Sequence, residues 1–174
     1  MTLKKVRIIN VFFVFLLSFL WHFIYDWFPN NLTALIFPVN ESIWEHMKII
    51  YYTIILGSLF ENFLCHKFNI SKNNWAVELA TKPILGIIFY LIIFVPIYLL
   101  TGENMVFAIS LMFITYALME VIGQKISMAK ECNITILPMI IVVLGFFLFI
   151  LLTFYPPHKF LFFDFLKLGY GILN

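Results

Sequence analysis

Five long apolar segments constrain this chain more than any other feature, and they lie at residues 8–28, 46–65, 83–100, 106–124 and 134–154. A helix needs about 20 mostly apolar residues to cross the hydrocarbon core of a bilayer, and each segment approaches that length. The chain of 174 residues is 63% hydrophobic and 11% charged, whereas soluble domains are about half apolar and about a quarter charged. The sequence therefore predicts an all-α integral membrane protein, a bundle of five transmembrane helices in a single domain over residues 1–174.

The basic residues predict which ends of the spans face the cytoplasm, because cytoplasmic loops carry an excess of Lys and Arg. With the N-terminus in the cytoplasm, eight of the 11 basic residues lie inside: Lys4, Lys5, Arg7, Lys67, Lys72, Lys82, Lys125 and Lys130. The other three lie outside: Lys48, Lys159 and Lys167. The first apolar segment is longer than the core of about 7–15 residues in a signal peptide, so we interpret it as a retained span. We therefore expect a multi-pass protein with a cytoplasmic N-terminus and an outside C-terminus.

The tail after the fifth segment, YPPHKFLFFDFLKLGYGILN, is apolar but is interrupted by two prolines, one aspartate and two glycines. The run from Lys159 to Gly171 is too short to cross a membrane as a helix. We expect this tail to be an interfacial or re-entrant segment at the outer face, with a sixth span as the alternative.

Ionisable side chains gather at the predicted outer ends of the spans, where separate pieces of the chain meet. His22 and Asp26 are four residues apart, so they share one face of the first span. An ionisable residue about 9 Å below the helix end is costly in lipid and usually faces the bundle interior. Alternatively, His22 has no ligand and only donates a hydrogen bond to a neighbouring helix. Histidine and carboxylate groups suit zinc or another divalent metal, and the candidate ligands are His22, Asp26, His46, His158 and Asp164.

The stretch FPVNESIWEHMK, residues 37–48, combines a helix start with two acids and a histidine. Ser42 and Glu45 fit the capping box that begins a helix, and Trp44 fits the aromatic belt of a membrane protein. The residues with predicted structural roles are Asn40, Ser42 and Trp44. A cap needs only one acid, and Glu41 and Glu45 on one helix face would repel each other. A functional carboxylate pair is therefore the second interpretation, and its candidate catalytic residues are Glu45, Glu41 and His46.

Two more carboxylates, Glu61 and Glu120, lie near the predicted cytoplasmic ends of the second and fourth segments. In one interpretation, Glu61 and Glu120 face each other and form the inner end of a proton or ion pathway. In the other, each side chain snorkels to the inner membrane interface. Cys65 and Cys132 lie on the same side, where we expect reduced thiols. The sequence contains no nucleotide-binding loop, zincin helix or other standard catalytic motif.

The stretch at residues 37–48 resembles the signature P-V-N-E-S-x-W-E-H-x-K of a family of small multi-span bacterial membrane proteins of unknown function. The matching residues are Pro38, Val39, Asn40, Glu41, Ser42, Trp44, Glu45, His46 and Lys48. The family's tail signature, P-P-x-x-P-L-F-x-D-P…G-x-Y-G, is matched more loosely, through Pro156, Pro157, Phe163, Asp164, Tyr170 and Gly171. Phe160 and Phe165 stand where that signature has prolines. The resemblance implies a place in the bacterial cytoplasmic membrane and a functional outer motif, but no particular reaction.

Three functions stay open from the sequence. The first is a metal-dependent enzyme embedded in the membrane, with a divalent metal such as zinc as cofactor and a lipid or peptide as substrate. The second is a small ion or solute transporter or channel component that uses Glu61 and Glu120. The third is a non-catalytic accessory, immunity or sensor protein. The lipid bilayer is the expected partner, and a homo-oligomer or a partner membrane protein fits each function. A net charge of +2 without a basic stripe argues against nucleic acid.

Overall fold

Five long helices form the protein in a computed structural model that describes residues 1–172. They are α1 (Leu3–Trp27), α3 (Ile43–Lys67), α4 (Trp75–Thr101), α5 (Met105–Met128) and α6 (Ile136–Phe154), with the short helix α2 (Asn31–Ala34) after the first. The tail holds a 3₁₀ helix (Phe160–Phe162) and the antiparallel strands β1 (Phe163–Asp164) and β2 (Gly169–Tyr170). Each of the five long helices is apolar and long enough to cross a membrane, which confirms the prediction of an all-α bundle with five spans.

Consecutive long helices run in opposite directions, so the bundle has two ends. We call the end that carries His22 and His46 the His end, and the end that carries Arg7 and Glu61 the Arg end. Helices α1, α3, α4 and α5 form a closed four-helix arrangement in which α1 and α4 each pack against both α3 and α5. Helix α6 lies outside this arrangement and packs against α4.

Helix α3 is the most buried of the five long helices, and it supplies the centre of the core. Its residues Met47 and Ile50 are fully buried in one apolar cluster with Tyr116 and Met119 of α5. Ser42 caps this helix, and its hydroxyl accepts a hydrogen bond from the backbone N–H of Glu45 at 3.3 Å, which is one half of the predicted capping box. The other half is not formed, because the Ser42 N–H donates to the Asn40 side chain instead of to Glu45.

Helix α4 begins at Trp75, eight residues before the predicted start at residue 83. The additional turns contain Glu78 and Lys82, both buried. A hydropathy criterion ends the span where charged residues begin, but these charges are paired inside the bundle and the helix continues through them. Pro83 consequently lies within the helix rather than at its start.

The tail folds back over the His end of the bundle. The Asn40 side-chain amide donates a hydrogen bond to the Gly171 carbonyl at 2.7 Å, and the Tyr98 ring packs against Phe160 with centroids 5.9 Å apart. Gly171 has a φ of +64°, a conformation that favours glycine. Residues 155–172 contain no helix of membrane-spanning length, so a sixth span is not formed there. The depth of this tail relative to the membrane stays a prediction.

Candidate functional site

Three side chains from different parts of the chain converge at the His end: His22 of α1, Glu41 of the α2–α3 loop and His46 of α3. We call this group the His site. A carboxylate oxygen of Glu41 lies 3.4 Å from Nε2 of His46 and 3.9 Å from Nε2 of His22. The two imidazole rings are 5.2 Å apart between centroids. The side chains are 28–30% exposed, so the site is sheltered but open to a ligand.

Hydrogen bonds to α3 and to the tail fix the loop before α3, and they determine the position of Glu41 in that loop. The side-chain oxygen of Asn40 accepts a hydrogen bond from the Ser42 backbone N–H at 2.9 Å, while the Asn40 amide binds the tail. The backbone N–H of Glu41 itself donates to a carboxylate oxygen of Asp164 at 3.0 Å. Because its backbone is held by the tail, Glu41 presents its carboxylate to the histidines from a constrained position.

His46 is oriented by its own helix. Its Nδ1 lies 3.0 Å from the Ser42 carbonyl oxygen. A carbonyl can only accept, so Nδ1 carries the proton and, in the neutral ring, Nε2 offers its lone pair toward Glu41. Histidines that bind metals are commonly oriented in this way: one ring nitrogen donates its N–H to a carbonyl or a carboxylate, and the other nitrogen coordinates the metal.

The spacing of the three donor atoms suits a metal ion. Around a tetrahedral zinc ion with ligands at about 2.0–2.1 Å, neighbouring ligand atoms lie roughly 3.3 Å apart. The two histidine–glutamate separations, 3.4 Å and 3.9 Å, approach that value, and all three ligand atoms lie within 4.8 Å of one another. A tetrahedral site would therefore require the three side chains to move closer together. Two imidazoles and one carboxylate form the ligand set of several catalytic zinc sites, which leave a fourth position open.

A cavity of about 60 Å³ adjoins Glu41 and His46 between α4, α5 and the tail. A single ordered water needs about 10–15 Å³ in such a measure, so the cavity has room for several waters or a small chemical group. Aromatic rings form much of its wall, among them Tyr90, Phe94, Tyr98, Phe163 and Phe165. A second carboxylate, that of Glu103, also lines it.

Glu45, a predicted catalytic residue, faces away from the His site. One of its carboxylate oxygens accepts a hydrogen bond from Thr153 of α6 at 2.8 Å. The other lies 2.8 Å from the Lys48 ammonium and accepts from the Val39 backbone N–H at 3.1 Å. Lys48 in turn donates to two backbone carbonyls. Glu45 is 1% exposed, and these contacts tie α3 to α6 and to the preceding loop.

Three of the five predicted metal ligands lie outside the His site. The Asp164 carboxylate is buried and accepts three backbone hydrogen bonds, from Glu41, Leu166 and Lys167. The exposed ring of His158 stacks on Tyr170 with centroids 4.4 Å apart. The third, Asp26, is exposed. The structure therefore groups two predicted ligands, His22 and His46, with Glu41, which the sequence had suggested as a catalytic carboxylate.

The Arg end holds a buried network of opposite charges, which we call the Arg network. Its members are Arg7, Glu61, Lys72, Glu78, Lys82 and Glu120. The Lys82 ammonium contacts all three carboxylates, at 3.2 Å from Glu61, 3.3 Å from Glu78 and 2.7 Å from Glu120. Three cations thus balance three carboxylates, and the lysine occupies the place that a metal ion would take among them.

Sequence reasoning found only Glu61 and Glu120 of this network. Glu61 is 0% and Glu120 is 7% exposed, so neither side chain snorkels to the interface. Glu78 and Lys82 were missed, although their spacing of four residues ahead of an apolar run was a usable signal. The sequence predicts only a cytoplasmic position for Arg7, but in the structure its guanidinium contacts Glu61, Glu78 and Glu120 at 2.8–3.1 Å.

In a comparison with known families, the model described as "Family of unknown function (DUF6512)" matches residues 1–172. This match confirms the resemblance to a family of unknown function, while the signature and the bacterial origin stay predictions. No curated protein and no solved structure matches the chain.

Proposed function

Since the chain belongs to the family of unknown function DUF6512, we propose its function from the site alone: a multi-pass membrane protein that binds a divalent transition-metal ion through His22, Glu41 and His46. The observation that carries this proposal is the convergence of two imidazole nitrogens and one carboxylate oxygen. The fixed Nδ1 of His46 supports it, because that ring presents Nε2 already oriented.

The reaction class that suits such a centre is metal-assisted hydrolysis or group transfer on a lipid or a peptide. A bound zinc ion polarises carbonyl or phosphoryl oxygens and makes its water a nucleophile near neutral pH. Glu103 lines the cavity together with Glu41, and in this proposal its carboxylate accepts the proton. The aromatic rings of the wall favour a substrate with an apolar portion.

The orientation that we propose places the Arg end in the cytoplasm and the His end outside. Support comes from the basic residues, of which eight of 11 lie inside in this orientation, as expected for cytoplasmic segments. The proposed reaction would then take place at the outer leaflet.

An ion pathway through Glu61 and Glu120 receives less support from the geometry. Each carboxylate is already neutralised by a lysine or arginine at 3.2 Å or less. A transported cation would have to displace Lys82, which is fully buried. We therefore treat the Arg network as a structural element.

Elemental analysis of the purified protein tests the proposal. We expect close to one zinc or other transition-metal ion per chain, and a loss of most of it in His22→Ala and in His46→Ala. His158→Ala is the matched control, because it removes an exposed histidine at the same end and should leave the metal content unchanged. Equal, negligible metal in all four proteins would contradict the proposal and favour a non-catalytic accessory role.

A further inference from the structure

Five aromatic rings line the cavity beside the His site, and we propose that this cavity binds a trimethylammonium group. Three of the rings repeat every four residues on α4 and two belong to the tail: Tyr90, Phe94, Tyr98, Phe163 and Phe165. They form a continuous arc, in which each ring contacts the next with centroids 4.9–6.1 Å apart. Aromatic rings attract cations, and cages of such rings recognise quaternary ammonium ligands.

The charges around the cavity favour a cation. No lysine or arginine appears among the described residues that line it, whereas Glu41 and Glu103 both do. Within residues 1–172, neither of these two carboxylates forms an ion pair with a lysine or an arginine. Unbalanced charges of one sign in a cleft with low-dielectric walls produce a strong local field. The lining therefore selects an occupant that has both a positive charge and an apolar surface, and a methylated ammonium has both.

The size and the position of the cavity suit this group. Its volume of about 60 Å³ corresponds to about four to six waters at about 10–15 Å³ each, and a trimethylammonium group is of comparable size. Three of the lining residues, Glu103, Phe165 and Leu166, are exposed, so the cavity opens between the α4–α5 loop and the tail. This opening lies at the end of the spans, where the headgroups of a bilayer meet water.

The cavity adjoins the His site, so its occupant identifies a class of substrate: an ester or phosphodiester that carries a trimethylammonium group. Ammonium binding itself needs no metal, but the identification of the bound molecule as a substrate rests on the function proposed above. Glu41 is engaged in the His site, so Glu103 supplies the counter-charge. A carboxylate has two oxygens, so one oxygen of Glu103 can face the ammonium while the other accepts the proton.

Competition for radiolabelled choline tests the proposal on the full chain in a maltoside detergent, after a chelator has removed any metal. Unlabelled choline should displace the label about tenfold more effectively than 3,3-dimethyl-1-butanol, which has the same shape with carbon in place of the charged nitrogen. Tyr98→Leu should weaken choline binding about fivefold, and Glu103→Gln about threefold. Tyr155→Leu is the matched control and should leave the affinity unchanged, because Tyr155 is exposed and lies outside the cavity lining.

Three results would overturn the proposal. In the first, no saturable choline binding is detected. In the second, choline and its neutral analogue displace the label equally, so that the cavity selects shape alone. In the third, Tyr98→Leu and Tyr155→Leu lose equal affinity, which would place choline elsewhere on the surface. Because the assay is free of metal, a protein that binds choline but retains no metal on purification would support this inference and contradict only the metal site.

The same assay in nanodiscs distinguishes two sources of the group, a lipid headgroup and a small solute. Phosphatidylcholine carries a trimethylammonium group, whereas phosphatidylethanolamine carries an ammonium without methyl groups. If the group belongs to a lipid, most choline binding should be lost in phosphatidylcholine nanodiscs and retained in phosphatidylethanolamine nanodiscs. Equal choline affinity in both would assign the cavity to a small solute that carries the same group.

Discussion

The two ends of the bundle use similar residue types in opposite ways. At the Arg end three carboxylates meet three cations, and the side chains in contact are 0–9% exposed. At the His end one carboxylate meets two histidines that are 28% exposed, beside a cavity. Charges that are buried and fully paired stabilise one arrangement of helices. Partly exposed nitrogen and oxygen atoms that lack such pairing can instead bind a metal ion or a substrate. The difference in pairing, more than the presence of acids, separates a structural element from a candidate site.

The largest effect should follow a break in the Arg network. Lys82→Met leaves three buried carboxylates with two cations, so we expect a loss of about 3–5 kcal/mol in the free energy of unfolding. Lys125→Met, an exposed lysine on α5 at the same end, should change stability by less than about 0.5 kcal/mol. Unfolding in a mixed-micelle denaturant series measures both. Similar values for the two variants would show that the network contributes no specific stability.

The next effect separates Glu45 from Glu41. Glu45→Gln removes the counter-charge of the buried Lys48 ammonium, and we expect a loss of about 3 kcal/mol with the metal retained. Glu41→Gln lies at a partly exposed position, so it should cost less than about 1 kcal/mol but weaken metal binding strongly. Parallel unfolding and metal-content measurements check this pair. The opposite pattern would return the catalytic role to Glu45.

A smaller effect tests the contact between α3 and α6. Thr153→Val keeps the shape of the side chain but removes the hydrogen bond to the Glu45 carboxylate. We expect a loss of about 1.5–3 kcal/mol, the range for bonds to charged groups. Thr101→Val, at an exposed position whose hydroxyl bonds only to backbone carbonyls nearby in the chain, is the control. A loss no greater than that of the control would mean that this hydrogen bond adds no stability to the contact between α3 and α6.

The last prediction concerns which end of the bundle faces the cytoplasm, and its test does not involve a change in stability. Cys132 is exposed at the Arg end, while Cys65 is buried, so a thiol reagent reports on one loop. We expect a membrane-impermeant maleimide to label Cys132 only after the cells are permeabilised, with Cys132→Ser as the unlabelled control. Labelling in intact cells would reverse the orientation and place the His site in the cytoplasm.

Hydropathy was sufficient to predict the five spans, because a long apolar helix is decided by length and composition alone. It failed at residues 75–82, where Glu78 and Lys82 are accommodated by partners that are distant in sequence. No local pattern reports such pairing. The predicted alternatives of a free ion pathway and snorkelling carboxylates both left out the cations that neutralise Glu61 and Glu120.

The His end shows a similar limit. Topology brought His22, Glu41 and His46 to one end of the predicted bundle, and the structure places them together. The sequence could not distinguish the roles of Glu41 and Glu45, because a spacing of four residues predicts that both lie on one helix face. Helix α3 begins at Ile43, so Glu41 lies in the loop and points to the histidines while Glu45 points to α6. The start of a helix, one or two residues either way, decided which carboxylate faces the site.

The most direct test of metal binding at the His site is zinc K-edge X-ray absorption on the purified protein. We predict nitrogen and oxygen ligands at about 2.0–2.1 Å with the outer-shell scattering of two imidazoles, and we expect most of this zinc signal to be lost in His22→Ala. Sulfur at about 2.3 Å would place the metal at a cysteine, and a shell of oxygens without imidazole would place it at other carboxylates. Either result, or the absence of bound zinc and of any other transition metal, would contradict the account.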